Sequence, residues 1–399
     1  MQKCVRQIKP FHFIGRLRIT LIIMVILHHC AILWTGGNWW PVITQNKTIH
    51  LDGFMAVNYS CGMGLFFLIS AFFHPVIIDR YGPIRFIKTR LLKLGVPLLI
   101  YLFCIVPFIM YAYYLNFRSY GYIPFWRYYL YIYLGAGERP PNWTGPHWGD
   151  AQLLQFWFTQ HLLFYGMYYA VLRMLAKKLK IPWMKATSLD KPMNKIVAHL
   201  GISTYIVTIA VAYFLIRIYF PIYKWIGMFG AIQVELAKLP QYIGLFGIGL
   251  IAGRRNWFLR LPSSVGYVWL CIGVTLSAFM YVGLLQRIIP FTLGGADSDA
   301  LAYASLDALL GTSLCVGFIT LFREKFNFRL SKFTRALARN VYCVFIIHVP
   351  IVVSLHYCLY KSTLPPILLF ITTAVIAIPA SFAASHYFVR RIPGANAVL

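Results

Sequence analysis

Apolar runs of about twenty residues recur along almost the whole chain. A helix of that length spans the hydrocarbon core of a bilayer. Hydrophobic residues make up 60% of the 399 residues and charged residues only 12%, whereas soluble domains carry roughly 25% charged residues. Too little polar surface remains to cover a water-soluble globule. The pattern predicts an all-α, polytopic membrane helical bundle, with residues 1–399 as a single membrane-embedded domain.

We predict about ten transmembrane spans, and the first is interpreted as a retained span because no small-residue cleavage site follows it. Most of the 37 Lys and Arg residues fall in alternate loops, so the positive-inside rule places both termini in the cytoplasm. The net charge of +27 therefore indicates topology and no nucleic-acid partner. The predicted spans lie near 17–36, 57–77, 94–114, 151–175, 196–217, 239–253, 264–285, 299–322, 338–360 and 364–389.

Two further features concern the loops and the cysteines. The outward segment 115–150 contains the run 128–133, which indicates a short interfacial helix, followed by a loop at 137–150 that is a candidate cap for a site. The eight cysteines are scattered without metal-ligand spacing and are interpreted as small core residues, so no metal site is predicted.

The first span carries the most informative polar residues, because ionisable groups inside a bilayer are costly. Arg18 and His29 are eleven residues apart. In an α-helix this spacing places them about 20° from the same face and roughly 16 Å apart along the axis. A snorkelling arginine and a histidine that packs between helices are the alternative interpretation.

The pair Arg18-x10-His29 on a first span resembles the signature of acyltransferase family 3, a family of membrane proteins. Similar motifs follow in order along nearly the whole chain, and together they resemble the branch that modifies periplasmic glucans. At Ala71 the family usually has glycine, so a looser backbone approach is expected there. The matching segments are 66–72 (FFLISAF), 79–97, 240–242, 254–257 and 390–394.

This resemblance implies an acyl-CoA-dependent O-acyltransferase of the inner (cytoplasmic) membrane. The donor is cytoplasmic acyl-CoA, such as acetyl-CoA or succinyl-CoA, which acts as a co-substrate, and no cofactor is bound permanently. The acceptor is a hydroxyl of a glycan, glycolipid or other envelope molecule, and membrane lipids are the remaining partners. His29 is then the catalytic base or nucleophile, because neutral imidazole accepts protons near physiological pH. Arg18 is expected to hold the CoA end.

Asp307 is the third predicted catalytic residue, because it is the only acidic residue placed deep in a span. It must be protonated or paired, and Arg18, His29 and Arg217 are the candidate partners. A structural ion pair and a misplaced span boundary are the alternatives. The predicted substrate-binding residues are basic, polar or aromatic side chains of the matching segments and the fourth span: Arg90, Arg85, Lys88, Arg254, Arg255, Trp157, Gln160, His161 and Ser70.

These residues have structural alternatives. The basic side chains also signal topology, although Arg90 matches the family's most characteristic arginine. Trp157 suits either a sugar ring or an interfacial aromatic belt. Gln160 stands where many relatives carry an acidic residue, and an amide binds ligands but takes no proton.

Other histidines and two rival functions complete the analysis. His147 and His161 are secondary base candidates, and His348 resembles a late-span histidine of the family, with core hydrogen bonding as its alternative role. Buried charges also suit a proton-coupled transporter. The departures at Ala71 and Gln160 leave a non-catalytic flippase or scaffold of the same fold as a further alternative.

Overall fold

The computed structural model describes residues 11–36, 40–117, 120–139, 153–181, 192–228 and 232–399. Regular structure in this part is almost entirely helical. The helices in chain order are α1 (His12–Ile32), α2 (Asp52–Phe72), α3 (His74–Tyr81), α4 (Pro83–Arg90), α5 (Val96–Ile100), α6 (Val106–Phe117), α7 (Phe125–Arg127), α8 (Trp157–Lys178), α9 (Lys195–Arg217), α10 (Leu239–Arg255), α11 (Trp257–Arg260), α12 (Ser263–Tyr281), α13 (Leu284–Ile288), α14 (Ser298–Lys325), α15 (Lys332–Leu359), α16 (Pro366–Ala383) and α17 (Ala395–Val398).

Shorter elements join or extend these helices. Two strands, β1 (Trp225–Met228) and β2 (Ile232–Glu235), pair as an antiparallel hairpin between α9 and α10. Tight 3₁₀ turns precede α8 at Leu154–Phe156 and follow the last span at Val389–Arg391. Wider π-helical turns occur at Leu91–Gly95, Tyr101–Ile105, Tyr128–Tyr133 and Ala384–Phe388.

Helices occur at all ten predicted spans, which confirms the all-α class. By length and composition, eight helical segments of the described part can cross a membrane. The other two predicted spans correspond to α10 and α8. Helix α10 is shorter, with 17 residues, and α8 carries the polar residues Thr159, Gln160 and His161 near its start. The span count of ten and the side of the termini stay predictions. The eight segments are His12–Ile32, Asp52–Tyr81, Pro83–Leu115, Lys195–Arg217, Ser263–Tyr281, Ser298–Lys325, Lys332–Leu359 and Pro366–Arg391.

Helix α1 lies at the centre of the bundle, where it packs against α2, α14, α15 and α16. Arg16 near its start donates hydrogen bonds to the carbonyls of Phe326 and Phe328, just ahead of α15. Further along, His29 of α1 meets His348 of α15. The two helices therefore run parallel. We call the end of the bundle where both begin the basic face.

Glycines allow α10 to lie unusually close to α2. A Cβ added at Gly249 would stand 2.4 Å from the Leu68 carbonyl oxygen and 2.8 Å from the Ala71 Cβ. At Gly253 it would stand 2.1 Å from the Phe72 carbonyl oxygen. Helix α10 thus supplies the small residues that close packing at Ala71 needs, while a looser approach there than glycine would allow stays a prediction.

Prolines explain the irregular third span. Pro107 has no N–H to offer the carbonyl four residues earlier, at Phe103. The Tyr129 hydroxyl donates to that carbonyl over 3.2 Å, and the Tyr133 hydroxyl donates to the Leu102 carbonyl over 2.6 Å. The predicted short helix at 128–133 is thus present and packs on this span, while its interfacial position stays a prediction. Residues 140–152, which include most of the candidate cap and His147, lie outside the described residues.

Candidate active site

The imidazole of His29 lies in the last turn of α1 and is held on two sides. Its Nδ1 is 3.0 Å from the Val25 carbonyl oxygen and 3.2 Å from His348 Nε2. The Trp40 ring stacks on it at 5.6 Å between centroids, with 29° between the planes. The ring stays partly accessible, and within the described ranges no residue bonds to its Nε2. That nitrogen is therefore open to a substrate.

A second histidine holds the tryptophan in place. Trp40 donates its indole N–H to His356 Nδ1 over 2.9 Å, and His356 Nε2 lies 3.2 Å from the Cys30 carbonyl oxygen. Both Trp40 and His356 are buried. The sequence offered no signal for this arrangement, because the loop after α1 and the far end of α15 meet only in the folded chain.

Arg18, on the same helix as His29, is exposed. Arg90 lies close enough to Arg18 for their charges to repel, and its guanidinium sits 4.9 Å over the Phe86 ring. In the described part of the chain neither arginine forms an ion pair. The two are thus cations without a carboxylate partner there and within electrostatic range of each other, and we call them the Arg18–Arg90 pair.

A shallow cavity of about 450 Å³ opens at the turn between α3 and α4, and both Arg85 and Lys88 line it. Tyr81 forms part of its wall, with the Arg85 guanidinium 5.2 Å over the tyrosine ring. Ser70 does not line this cavity; its carbonyl accepts a hydrogen bond from His74 Nδ1 over 2.8 Å. Two of the predicted binding residues thus share one basic groove.

Arg254 is placed differently from the other predicted basic residues. Its guanidinium forms a bidentate ion pair with Asp79, which also pairs with Arg173 at 2.7 Å. This pairing ties the ends of α3, α8 and α10 together. Arg255 is exposed at the same end of α10. A CoA-binding role for either arginine stays a prediction.

Gln160 and His161 bind the β-hairpin. The backbone N–H of Gln233 donates to Gln160 Oε1 over 3.1 Å, and His161 Nε2 lies 3.0 Å from the Gln233 carbonyl oxygen. His161 Nδ1 lies 3.2 Å from the Tyr165 hydroxyl, so both ring nitrogens are engaged. The amide at position 160 therefore supports the hairpin, a contact that the sequence did not indicate.

Trp157 lies within an aromatic cluster at the same hairpin. Its ring is 5.1 Å from that of Tyr242 and 5.4 Å from that of Trp225, between centroids. The indole is partly accessible. Stacking on a sugar ring stays a prediction for this residue.

Asp307 lies in a second polar cluster, around α9, α10 and α14. Its carboxylate pairs with Arg217 at 2.5 Å and with Lys238 at 2.7 Å. The side chains are 3%, 3% and 0% exposed for Asp307, Arg217 and Lys238. Arg217 was one of the candidate partners, whereas Lys238 was missed. The only sequence feature that marked Lys238 was its position just ahead of the 240–242 motif.

Glu235 completes this cluster. It accepts hydrogen bonds from the Tyr59 hydroxyl and from the Tyr223 backbone N–H, the latter over 2.8 Å. Burial raises the pKa of the Glu235 carboxyl, which these two hydrogen bonds oppose. Burial likewise lowers the pKa of the Lys238 amine, which the Asp307 carboxylate opposes. Two buried cations thus face two buried carboxyl groups.

The fold and its central polar groups define a multi-pass integral membrane protein. A family model described as an acyltransferase domain matches residues 11–386, nearly the whole chain. The chain therefore belongs to acyltransferase family 3, as the motif series predicted, and is a membrane acyltransferase. No curated protein and no solved structure gives a significant match. Among the described residues, no group of three or more His, Cys, Asp or Glu side chains is arranged to hold a metal ion.

Proposed function

We propose that this acyltransferase moves an acyl group from cytoplasmic acyl-CoA to a hydroxyl of an envelope glycan or glycolipid. One observation carries the proposal. The uncompensated Arg18–Arg90 pair includes a residue of the helix that carries His29, whose Nε2 is unblocked. A cationic anchor and a proton acceptor are the two groups that transfer from a phosphorylated thioester requires.

The donor is argued from charge. Two guanidiniums that repel each other without a neighbouring carboxylate are stabilised by a bound anion, and arginine suits phosphate oxygens especially well. Arg85 and Lys88 in the groove between α3 and α4 add further cations. Arg18 and His29 lie roughly 16 Å apart along α1. An extended pantetheine arm covers such a distance between the phosphates of CoA and its thioester.

The chemistry is argued from His29. Neutral imidazole accepts the acceptor's hydroxyl proton at Nε2 while the hydroxyl oxygen attacks the thioester carbonyl carbon. The new C–O bond forms and the C–S bond breaks. The CoA thiolate leaves and takes the proton back from Nε2. The products are an ester and free CoA, and His29 returns to its initial state.

The acceptor and the location are argued from the family resemblance. The motifs resemble the branch that modifies periplasmic glucans, so an envelope glycan and the inner membrane are proposed. The acyl group is acetyl or succinyl. His29 lies at the end of α1 away from the basic face, so the acceptor approaches from the side opposite to the donor.

Acyl-CoA turnover by detergent-purified protein, with extracted envelope glycans as the acceptor pool, tests the proposal. His29→Ala should lower the rate on the order of 10²- to 10⁴-fold, the usual contribution of general base catalysis. His199→Ala is the matched control, because that histidine lies on α9 against Trp269. Full turnover in His29→Ala would contradict the proposed chemistry. A folded wild-type protein without turnover or CoA binding would favour a transporter.

A further inference from the structure

The proton positions on the two neighbouring imidazoles follow from their hydrogen-bond partners. His348 is completely buried, and its Nδ1 faces two carbonyl oxygens, of Phe345 at 2.8 Å and of Val344 at 3.2 Å. A carbonyl only accepts hydrogen bonds, so Nδ1 of His348 must carry a proton. Neutral His348 therefore has a lone pair on Nε2.

The Val25 carbonyl and this lone pair together set the tautomer of His29. His348 Nε2 lies 3.2 Å from His29 Nδ1, and the Val25 carbonyl oxygen lies 3.0 Å from the same nitrogen. Two acceptors meet at this atom, so His29 Nδ1 must carry the proton. The lone pair of His29 then lies on Nε2, the nitrogen that has no partner among the described residues.

We infer that His348 is a positioning residue that, together with the Val25 carbonyl, holds His29 by its Nδ1–H with Nε2 ready to accept a proton. The inference rests on the proposed function, in which Nε2 takes the acceptor's proton. It assigns to His348 a role that neither the motif series nor the family match specifies. The parallel course of α1 and α15 brings the two rings together.

The same contact acts during the reaction. When His29 Nε2 gains a proton, the ring becomes an imidazolium and its Nδ1–H becomes a stronger donor. His348 Nε2 and the Val25 carbonyl oxygen already stand at that hydrogen, so no rearrangement is needed to stabilise the charge. Preorganised acceptors of this kind contribute more in a water-poor site than in water.

Two substitutions separate positioning from mere packing. His348→Leu fills the space but offers no acceptor, whereas the Oε1 of His348→Gln can accept from His29 Nδ1. We expect kcat to fall about 10- to 10²-fold in His348→Leu with the KM for acyl-CoA unchanged, since the imidazolium that forms at His29 loses one of its two hydrogen-bond acceptors. We expect His348→Gln to recover most of this loss.

The tautomer itself is measurable without turnover. In protein labelled with ¹⁵N-histidine, the His29 signals are assigned by their loss in His29→Gln. They should show a protonated Nδ1 and an unprotonated Nε2 in the wild type. In His348→Leu the Val25 carbonyl still accepts from Nδ1, so this tautomer should persist and the loss of kcat reports the missing second acceptor. His199→Leu is the control, because its ring lies on α9 away from both histidines.

The outcomes are distinct. A wild-type spectrum with the proton on His29 Nε2 would overturn the inference, as would full kcat in His348→Leu. If His348→Leu does not fold, the wild-type spectrum and His348→Gln still decide. If the predicted tautomer is present but His29→Ala keeps full activity, the proposed function fails while the positioning contact stands.

Discussion

At the scale of single residues, similar side chains have different surroundings. Arg16 donates to three backbone carbonyls and lies 3.8 Å over the Phe328 ring, so it anchors the start of α1. Arg254 is neutralised by Asp79. Arg18 and Arg90 lack such a carboxylate partner in the described part of the chain. Pairing, which the sequence does not display, distinguishes arginines that stabilise the fold from those available to a ligand.

Arg90→Ala should therefore weaken donor binding. A charge-assisted hydrogen bond contributes about 1.5–3 kcal/mol, so the KM for acyl-CoA is expected to rise at least about tenfold with a smaller change in kcat. Steady-state kinetics with Lys325→Ala as the control tests this, because Lys325 is an exposed cation at the end of α14. An unchanged KM for acyl-CoA would mean that Arg90 acts only as a topology signal.

At the scale of elements, close packing through glycine joins α10 to α2. Gly249 and Gly253 stand one turn apart and face the carbonyls of Leu68 and Phe72. Gly247 on the same helix has no atom within 4 Å of an added Cβ. Helix α10 therefore offers a tightly packed glycine, Gly249, and a control glycine, Gly247.

Gly249→Ala should destabilise the protein, because the new methyl group would overlap backbone that cannot rotate away. Overpacking of this kind costs about 1–3 kcal/mol. Gly247→Ala should be neutral or slightly stabilising, since alanine favours a helix over glycine by about 1 kcal/mol. Thermal unfolding in detergent compares the two. Equal melting temperatures would mean that α2 and α10 separate more easily than their packing indicates.

At the scale of the whole molecule, the Asp307 cluster joins elements that are far apart in sequence. It links α9 through Arg217, the turn before α10 through Lys238, and α14 through Asp307. Glu235 brings in the hairpin, and Tyr59 brings in α2. Buried charges of this kind are tolerated because each cation has a carboxyl group nearby.

Asp307→Asn should destabilise the bundle by about 3–5 kcal/mol, because it leaves two buried cations facing one carboxyl group. Adding Lys238→Met should recover part of this loss by restoring the balance. Unfolding of the single and double variants gives the comparison. A stable Asp307→Asn protein that binds acyl-CoA but shows no turnover would instead support the catalytic role predicted for Asp307.

Topology is tested by reporter fusions after Lys47 and after Lys185. The ten-span arrangement places the first on the outer side and the second in the cytoplasm, because the basic loops alternate between the two faces. A pair of reporters, each active on one side of the membrane only, should place the two fusion points on opposite sides. The same side for both would exclude this topology.

Much of the fold followed from local chemistry. The apolar runs at 196–217 and 299–322 became α9 and α14 within a few residues, because a backbone in lipid must satisfy its own hydrogen bonds and does so as a helix. The Arg18–His29 spacing likewise depends only on helix geometry. The family itself was predicted from motifs spread along the chain, and the matching model covers the same length.

The sequence could not predict which side chains the polar residues contact in the folded chain. Asp307 had three candidate partners, and the sequence neither chose Arg217 among them nor pointed to Lys238. Trp40 and His356 had no local signal at all. Gln160 was interpreted as a lost carboxylate, whereas in the folded chain it accepts from the hairpin backbone.

The sequence by itself determined that the chain is a helical membrane protein of acyltransferase family 3, and it determined which helix carries Arg18 and His29. Those conclusions need only hydrophobicity, helix periodicity and motif order. Only the tertiary structure decided that Arg18 and Arg90 lie within electrostatic range of each other, that Arg254 and Asp307 are neutralised, and that His348 stands at Nδ1 of His29. The reason is physical: charge and proton placement depend on distances between helices, and long-range packing sets those distances.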